Sequence, residues 1–192
     1  MTVTSTIRSL PFDEALEAVD SDAAFIDLRP VDAYLEVHIP GSLCVVYERG
    51  PGMASRARDC LPLDLSMILV DGYDLDYTHA AASLRGKGFT VLGKADDAIN
   101  RWADARGVPA TTESAHGTLP GEGTVLDVGD PRAPHADEAV RIPIDRLWVR
   151  VGELEGPKRV AITTGYGIFA ALAVGILERA GVDEVILWRG PA

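Results

Sequence analysis

The stretch Met67-Ile68-Leu69-Val70-Asp71-Gly72-Tyr73-Asp74-Leu75-Asp76-Tyr77-Thr78-His79-Ala80-Ala81 decides how this chain folds. Four apolar residues of strand character break into a glycine and three aspartates, and a helical pattern then begins. The device returns at Arg159-Val160-Ala161-Ile162-Thr163-Thr164-Gly165-Tyr166-Gly167-Ile168-Phe169. In an open α/β sheet, ligands bind beside the carboxyl ends of the strands. There the N–H groups of such a loop, and the positive end of the helix dipole, form a cradle for an anion. Function is therefore sought first at these two loops.

Outward from the first loop the same alternation continues. Phe12, Leu16 and Val19 share one helical face, residues 23–28 form a short buried strand, and residues 29–36 a brief helix. A turn at His38-Ile39-Pro40-Gly41 leads to a strand at 43–47. From 48 to 65 the pattern loosens, and an excursion with one helical turn is expected. Residues 75–86 read as a helix, 89–92 as a strand and 95–106 as a helix ending at Gly107. Residues 108–123 are rich in Pro, Gly, Ser and Thr without periodicity and read as a linker. Beyond it come strands at 124–128, 141–144, 160–163 and 184–188, with helices at 145–154 and 168–180. Such alternation argues for parallel α/β packing.

The order is that of an internal duplication. Ile26-Asp27-Leu28 pairs with Leu126-Asp127-Val128, and His38-Ile39-Pro40 with Arg141-Ile142-Pro143. Asp71 to Gly88 has the same interval as Thr164 to Gly181, with Leu84 matching Leu177. Val91-Leu92 then pairs with Ile186-Leu187. The expectation is an α/β chain of two units, 1–107 and 124–192, joined by the linker 108–123. The second is shorter and divergent, with no match to the Phe12 or Trp102 helices.

Composition bounds the function. The net charge is −11, with 18 Lys and Arg against 29 Asp and Glu, which argues against a nucleic-acid surface. The longest apolar run, residues 168–177, is too short for a membrane span, and residues 1–8 lack the apolar core of a secretory signal. The cytoplasm is the expected location. Cys44 and Cys60 make no disulfide framework or metal-ligand spacing, and neither a metal nor a cofactor is expected.

The residues quoted so far resemble those of the rhodanese-like family. Asp27-Leu28-Arg29 followed by Tyr34, and then His38-Ile39-Pro40-Gly41-Ser42, is similar to that family's Asp-x-Arg, aromatic and Gly-His-Ile-Pro-Gly-Ala pattern. Gly88-Phe89 and Trp102 fit it too. The resemblance implies two rhodanese-like units, each a mainly parallel sheet flanked by helices, as in an abbreviated tandem sulfurtransferase. It also implies that Asp27, Arg29, His38, Pro40 and Gly41 are structural. In that family a loop cysteine, as thiolate, attacks a sulfane sulfur donor and carries it as a persulfide, its pKa lowered by loop N–H groups. An arginine five residues on binds the anionic donor. Aligned by the glycine that ends each helix, the cysteine slots here are Asp71 and Thr164, and the arginine slots Asp76 and Phe169. Neither a carboxylate nor a hydroxyl holds a transferable persulfide. Asp71, Asp74 and Asp76 also repel a dianion brought within roughly 5 Å.

Two functional classes follow. The first is a rhodanese-like protein without sulfurtransferase activity, a binding or scaffold module for a protein partner in sulfur metabolism. The second is an active sulfurtransferase using Cys60, whose thiolate Arg56 and Arg58 favour if the loose segment exposes it, or using a partner's cysteine. An anionic ligand is not expected at the Asp71 loop. The Thr164-Gly165-Tyr166-Gly167 loop still offers N–H groups and a hydroxyl to one. Against this stands a closed loop filled by Tyr166 and Phe169. The three aspartates lack the spacing of a calcium loop and read as solvated caps. Cys44 reads as a core hydrophobe.

Overall fold

A computed structural model describes residues 7–70, 74–118, 123–154, 158–165 and 167–190. Its first unit runs β1 (Ser9–Leu10), α1 (Phe12–Asp20), β2 (Ala24–Asp27), α2 (Val31–Glu36), β3 (Leu43–Cys44) and α3 (Gly52–Cys60). It continues through β4 (Ser66–Val70), α4 (Tyr77–Gly86), β5 (Thr90–Ala95) and α5 (Ala98–Arg106). The second comprises β6 (Glu113–Ala115), β7 (Thr124–Asp127), β8 (Val140–Arg141), α6 (Ile144–Arg150), β9 (Arg159–Thr163), α7 (Ile168–Arg179) and β10 (Glu184–Trp188).

The sheets have strand orders β1-β5-β4-β2-β3 and β6-β10-β9-β7-β8, with every named pair parallel. Renumbered from its own first strand, the second order repeats the first, so the strands occur in the same order twice. What the second unit lacks are helices: none of the described residues replaces α1, α2 or α5.

Strand periodicity explains the layers. In β2 and β4 alternate residues face opposite sides. Phe25, Ile68 and Val70 lie under α1 and α5 with Phe12 and Ala98. Ala24, Ile26, Met67 and Leu69 face the other way, into a core shared with Leu126, Val160, Ile162 and Leu187 of the second sheet. One continuous apolar core thus joins the units. Helix α7 lies within it, packed on β3 of the first unit and β10 of the second. Residues 170–177 of α7 are all buried, as a helix covered on every side requires.

Three elements differ from the sequence reading. The loose 48–65 segment contains α3, nine residues long, which buries Met53, Ala54, Ala57 and Cys60 along one helical face. Apart from Met53 its apolar stripe is made of small residues, which mute the signal. Residues 113–115, inside the stretch read as linker, form β6 on the edge of the second sheet beside β10. The third strand of the first unit, read over 43–47, is the two-residue β3, because Val46 turns the backbone to a φ of 47°.

Candidate functional site

The loop after β4 passes through Asp71, Gly72 and Tyr73, which lie outside the described residues. Beyond it Asp74 is exposed. Asp76 caps α4, its carboxylate accepting the His79 N–H at 2.9 Å. The Asp76 carboxylate is thus a helix cap, in the slot that aligns with an anion-binding arginine.

The loop after β9 is better defined. Thr164 is 1% exposed, and its N–H donates to the Trp188 carbonyl at 3.0 Å. Its hydroxyl donates to Asp130 Oδ2 at 3.4 Å, and the Gly165 N–H donates to the same oxygen at 2.7 Å. The other carboxylate oxygen accepts the Arg132 N–H at 3.0 Å. The cradle therefore holds an anion that belongs to the chain. The 130–132 turn presses close enough that a Cβ at Gly165 would stand 2.6 Å from the Arg132 carbonyl oxygen, so only glycine fits. Arg189 Nη1 donates to the Gly165 carbonyl at 3.3 Å. Tyr166, read as the filler of this loop, lies outside the described residues. Gly167 follows at a φ of 86° and leads into α7.

In front of this loop lies a cleft between the units. One cavity of about 320 Å³ is lined by Arg56, Asp130, Pro131, Arg132, Ile168 and Phe169. A second, of about 500 Å³, shares Arg56 and Phe169 and extends past Asp59, Cys60, Val128 and Asp145. Phe169, at the slot aligned with the family arginine, is half-buried and forms an apolar wall. One arginine of this wall comes from the first unit. Arg56 donates to the Val45 and Val46 carbonyls at 2.9 and 3.2 Å and to Glu48 at 3.3 Å, while its Nε has no partner. Arg56 thereby fastens the Val46 turn and stands in the cleft wall.

Cys60 lines the larger cavity but is only 6% exposed. Burial, then the Asp59 and Asp145 carboxylates, push its thiol up to about 11 against the pull of Arg56. The exposure on which a thiolate favoured by Arg56 and Arg58 depended is absent, because Cys60 is buried on α3. Cys44 is 1% exposed, and burial raises its thiol further still.

Of the motif residues in the first unit, Asp27, Arg29 and His38 are buried. Asp27 and Arg29 form a buried pair, with Arg29 Nε 3.0 Å from Oδ1 and Nη2 2.6 Å from Oδ2. Arg29 also donates to the Val37 carbonyl at 2.6 Å, tying β2 to the end of α2. The matching Asp127 is more exposed, accepts the Gly129 N–H and pairs with Arg141 at 3.2 Å. His38 is fully buried, stacked on Tyr34 and hydrogen-bonded to Glu178 of α7. Pro40 and Gly41 complete the turn, and the Gly41 N–H donates to Glu178 at 2.7 Å.

Asp130, Arg132 and Glu178 were not singled out from the sequence. For Asp130 a signal existed: Asp27-Leu28-Arg29-Pro30 aligns with Asp127-Val128-Gly129-Asp130-Pro131, placing a carboxylate near the slot of Arg29. Glu178 is 140 residues from its partner and gave none. Among the described residues no cluster of three or more His, Cys, Asp or Glu is arranged to hold a metal ion, and no helix is long and apolar enough to cross a membrane.

No protein-family model matches the sequence, and no curated protein does. Among solved structures, the chain is similar to the thiosulfate sulfurtransferase of Pseudomonas aeruginosa, at 16% identity and a TM-score of 0.40 over 97% of this chain and 43% of that one. It is similar to the 3-mercaptopyruvate sulfotransferase of Escherichia coli, at 16% identity and a TM-score of 0.41 over 97% of this chain and 99% of that one. A protein from Anabaena sp. aligns at 22% identity and a TM-score of 0.41, over 50% of this chain and 74% of that one. The chain spans less than half the length of the first of these. The strand orders of the chain itself give two parallel α/β units.

Proposed function

We propose that this chain is a rhodanese-like protein without sulfurtransferase activity, acting as a binding module through the cleft between its units. One observation carries the reading. At the loop where the family chemistry needs a thiolate, Thr164 offers a hydroxyl, and the Asp130 carboxylate takes the Gly165 N–H that would greet an anionic donor. A carboxylate so placed repels a sulfur dianion and disfavours a thiolate. The chemistry is missing twice, in the nucleophile and in the electrostatics. A role beside a sulfur-handling protein partner rests on the motif resemblance, and a cytoplasmic location on two cysteines that are both free.

The test is incubation with thiosulfate and cyanide. No thiocyanate and no gain of one sulfur atom in the intact mass is the expected result. The second reading, transfer through Cys60, is favoured by that residue's place in the cleft wall. Thiocyanate production lost in Cys60→Ala would establish it and overturn the first. Turnover that appears only when a partner is added, with the sulfur on the partner's cysteine, would likewise favour the second reading.

A further inference from the structure

His38 is fully buried, and both of its ring nitrogens face acceptors. Nδ1 lies 2.9 Å from the Tyr34 carbonyl oxygen, which only accepts, so Nδ1 carries a hydrogen. Nε2 lies 3.0 Å from Glu178 Oε1, across the interface between the units. A neutral ring has one hydrogen and has spent it on Tyr34. Its bare Nε2 would then face a carboxylate oxygen, lone pair against lone pair. The contact needs a second proton.

The surroundings place that proton on the ring. Glu178 accepts the Gly41 N–H at 2.7 Å through its other oxygen, and its side chain is 17% exposed, so the carboxylate is both hydrogen-bonded and hydrated as the anion. Tyr34 lies face to face with the imidazole, centroids 4.2 Å apart and planes 21° apart, as a cation over an aromatic face prefers. Its phenol stays neutral: burial and Glu178 push its ionisation well up, and the hydroxyl donates to the Ser42 carbonyl at 2.7 Å. Of the nearby cations, Arg29 is held by Asp27 and Val37, and Arg179 turns to Trp148 and to the Asp22 and Ala23 carbonyls. On the open side, Glu113, Asp183 and Glu184 share with Glu178 a cavity of about 370 Å³, and their charges favour a nearby cation.

We infer that His38 and Glu178 form a proton-dependent latch between the two units, with His38 held as an imidazolium and the tie between α7 and the His38 turn weakened when the proton leaves. Helix α7 carries the effect. Its first residues, Ile168 and Phe169, wall the cleft, and Glu178 lies ten residues on, about 15 Å along the helix axis. Loosening the latch therefore acts on the cleft wall. A folded state that keeps a proton given up on unfolding loses stability as pH rises.

The experiment compares melting temperatures of the protein and of Glu178→Gln across about pH 7 to 9. A glutamine at 178 offers its N–H to a neutral Nε2 and its oxygen to Gly41, so it suits the ring without the extra proton. The unsubstituted protein is expected to lose melting temperature relative to the variant as pH rises. Parallel curves overturn the latch. Should the variant not fold, nitrogen NMR of the unsubstituted protein at neutral pH decides instead: hydrogen on both His38 ring nitrogens supports the latch, and one bare nitrogen sinks it.

Discussion

Gly175 of α7 meets Ser42 of the first unit so closely that a Cβ on the glycine would lie 2.0 Å from the Ser42 carbonyl oxygen. The contact fixes how near the second unit's helix comes to β3. Glycine in mid-helix ordinarily costs about 1 kcal/mol relative to alanine, so replacing it would usually help. Here Gly175→Ala must push α7 off the first unit, and overpacking of this kind costs about 1–3 kcal/mol. Urea unfolding is expected to show a net loss. Gly86→Ala is the control: nothing stands within 4 Å of its Cβ position, and a gain of a few tenths to about 1 kcal/mol is expected.

Asp27 and Asp127 occupy matching places in the two sheets, and burial separates their worth. The Asp27 side chain is 1% exposed and paired bidentately with Arg29; the Asp127 side chain is 24% exposed and its Arg141 partner is largely solvated. Asp27→Asn leaves a buried guanidinium short of its counterion and is expected to cost about 3–5 kcal/mol. Asp127→Asn is expected to cost less than about 1 kcal/mol. Equal losses in chemical denaturation would refute this.

Thr164→Cys restores the thiol but leaves it facing the Asp130 carboxylate. Its reaction with iodoacetamide at neutral pH is expected to be slower than that of a free cysteine. Adding Asp130→Asn removes the charge, and alkylation at position 164 should rise by about tenfold or more, as each 1.4 kcal/mol of relieved repulsion permits. Mapping the label by peptide mass reads the result. Double-variant rates no higher than the single would mean the carboxylate does not control the cradle.

Cys60, its thiol pushed up to about 11, should react with iodoacetamide at a rate that climbs about tenfold per pH unit from neutrality to about pH 10. In denaturant it should titrate near the ordinary thiol value. The raised ionisation also gives a sign for stability. The Cys60 contribution is complete below about pH 9 and is lost as pH rises through about 11. Cys60→Ala should flatten that part of the curve, and unchanged slopes would count against the burial account.

Much of the fold was legible because it is written in short-range patterns. The Met67 and Arg159 segments announce strand, loop and helix by apolar runs punctuated with Gly and Asp, and ordered matches such as Ile26–Leu28 with Leu126–Val128 expose the repeated order. Helix α3 was underread because Ala54, Ala57 and Cys60 make its inner stripe from small side chains. Strand β6, Glu-Ser-Ala, has no strand character of its own. Its backbone becomes a strand because β10 offers an open edge. The same limit applies at the site. The lost nucleophiles could be read from residue types, whereas the Asp130 carboxylate in the cradle, the burial of Cys60 and the reach of Glu178 to His38 depend on the packed chain.

The position of α7 between the two sheets bears on how the protein is made. The apolar side of β3 and its neighbours is covered by residues 168–179, which leave the ribosome after the whole of the first unit. During synthesis the first unit therefore waits with part of its core uncovered, and its completion coincides with that of the second. A nascent chain stalled before Ile168 should be protease-sensitive and bound by chaperones, although it already contains every strand of the first sheet.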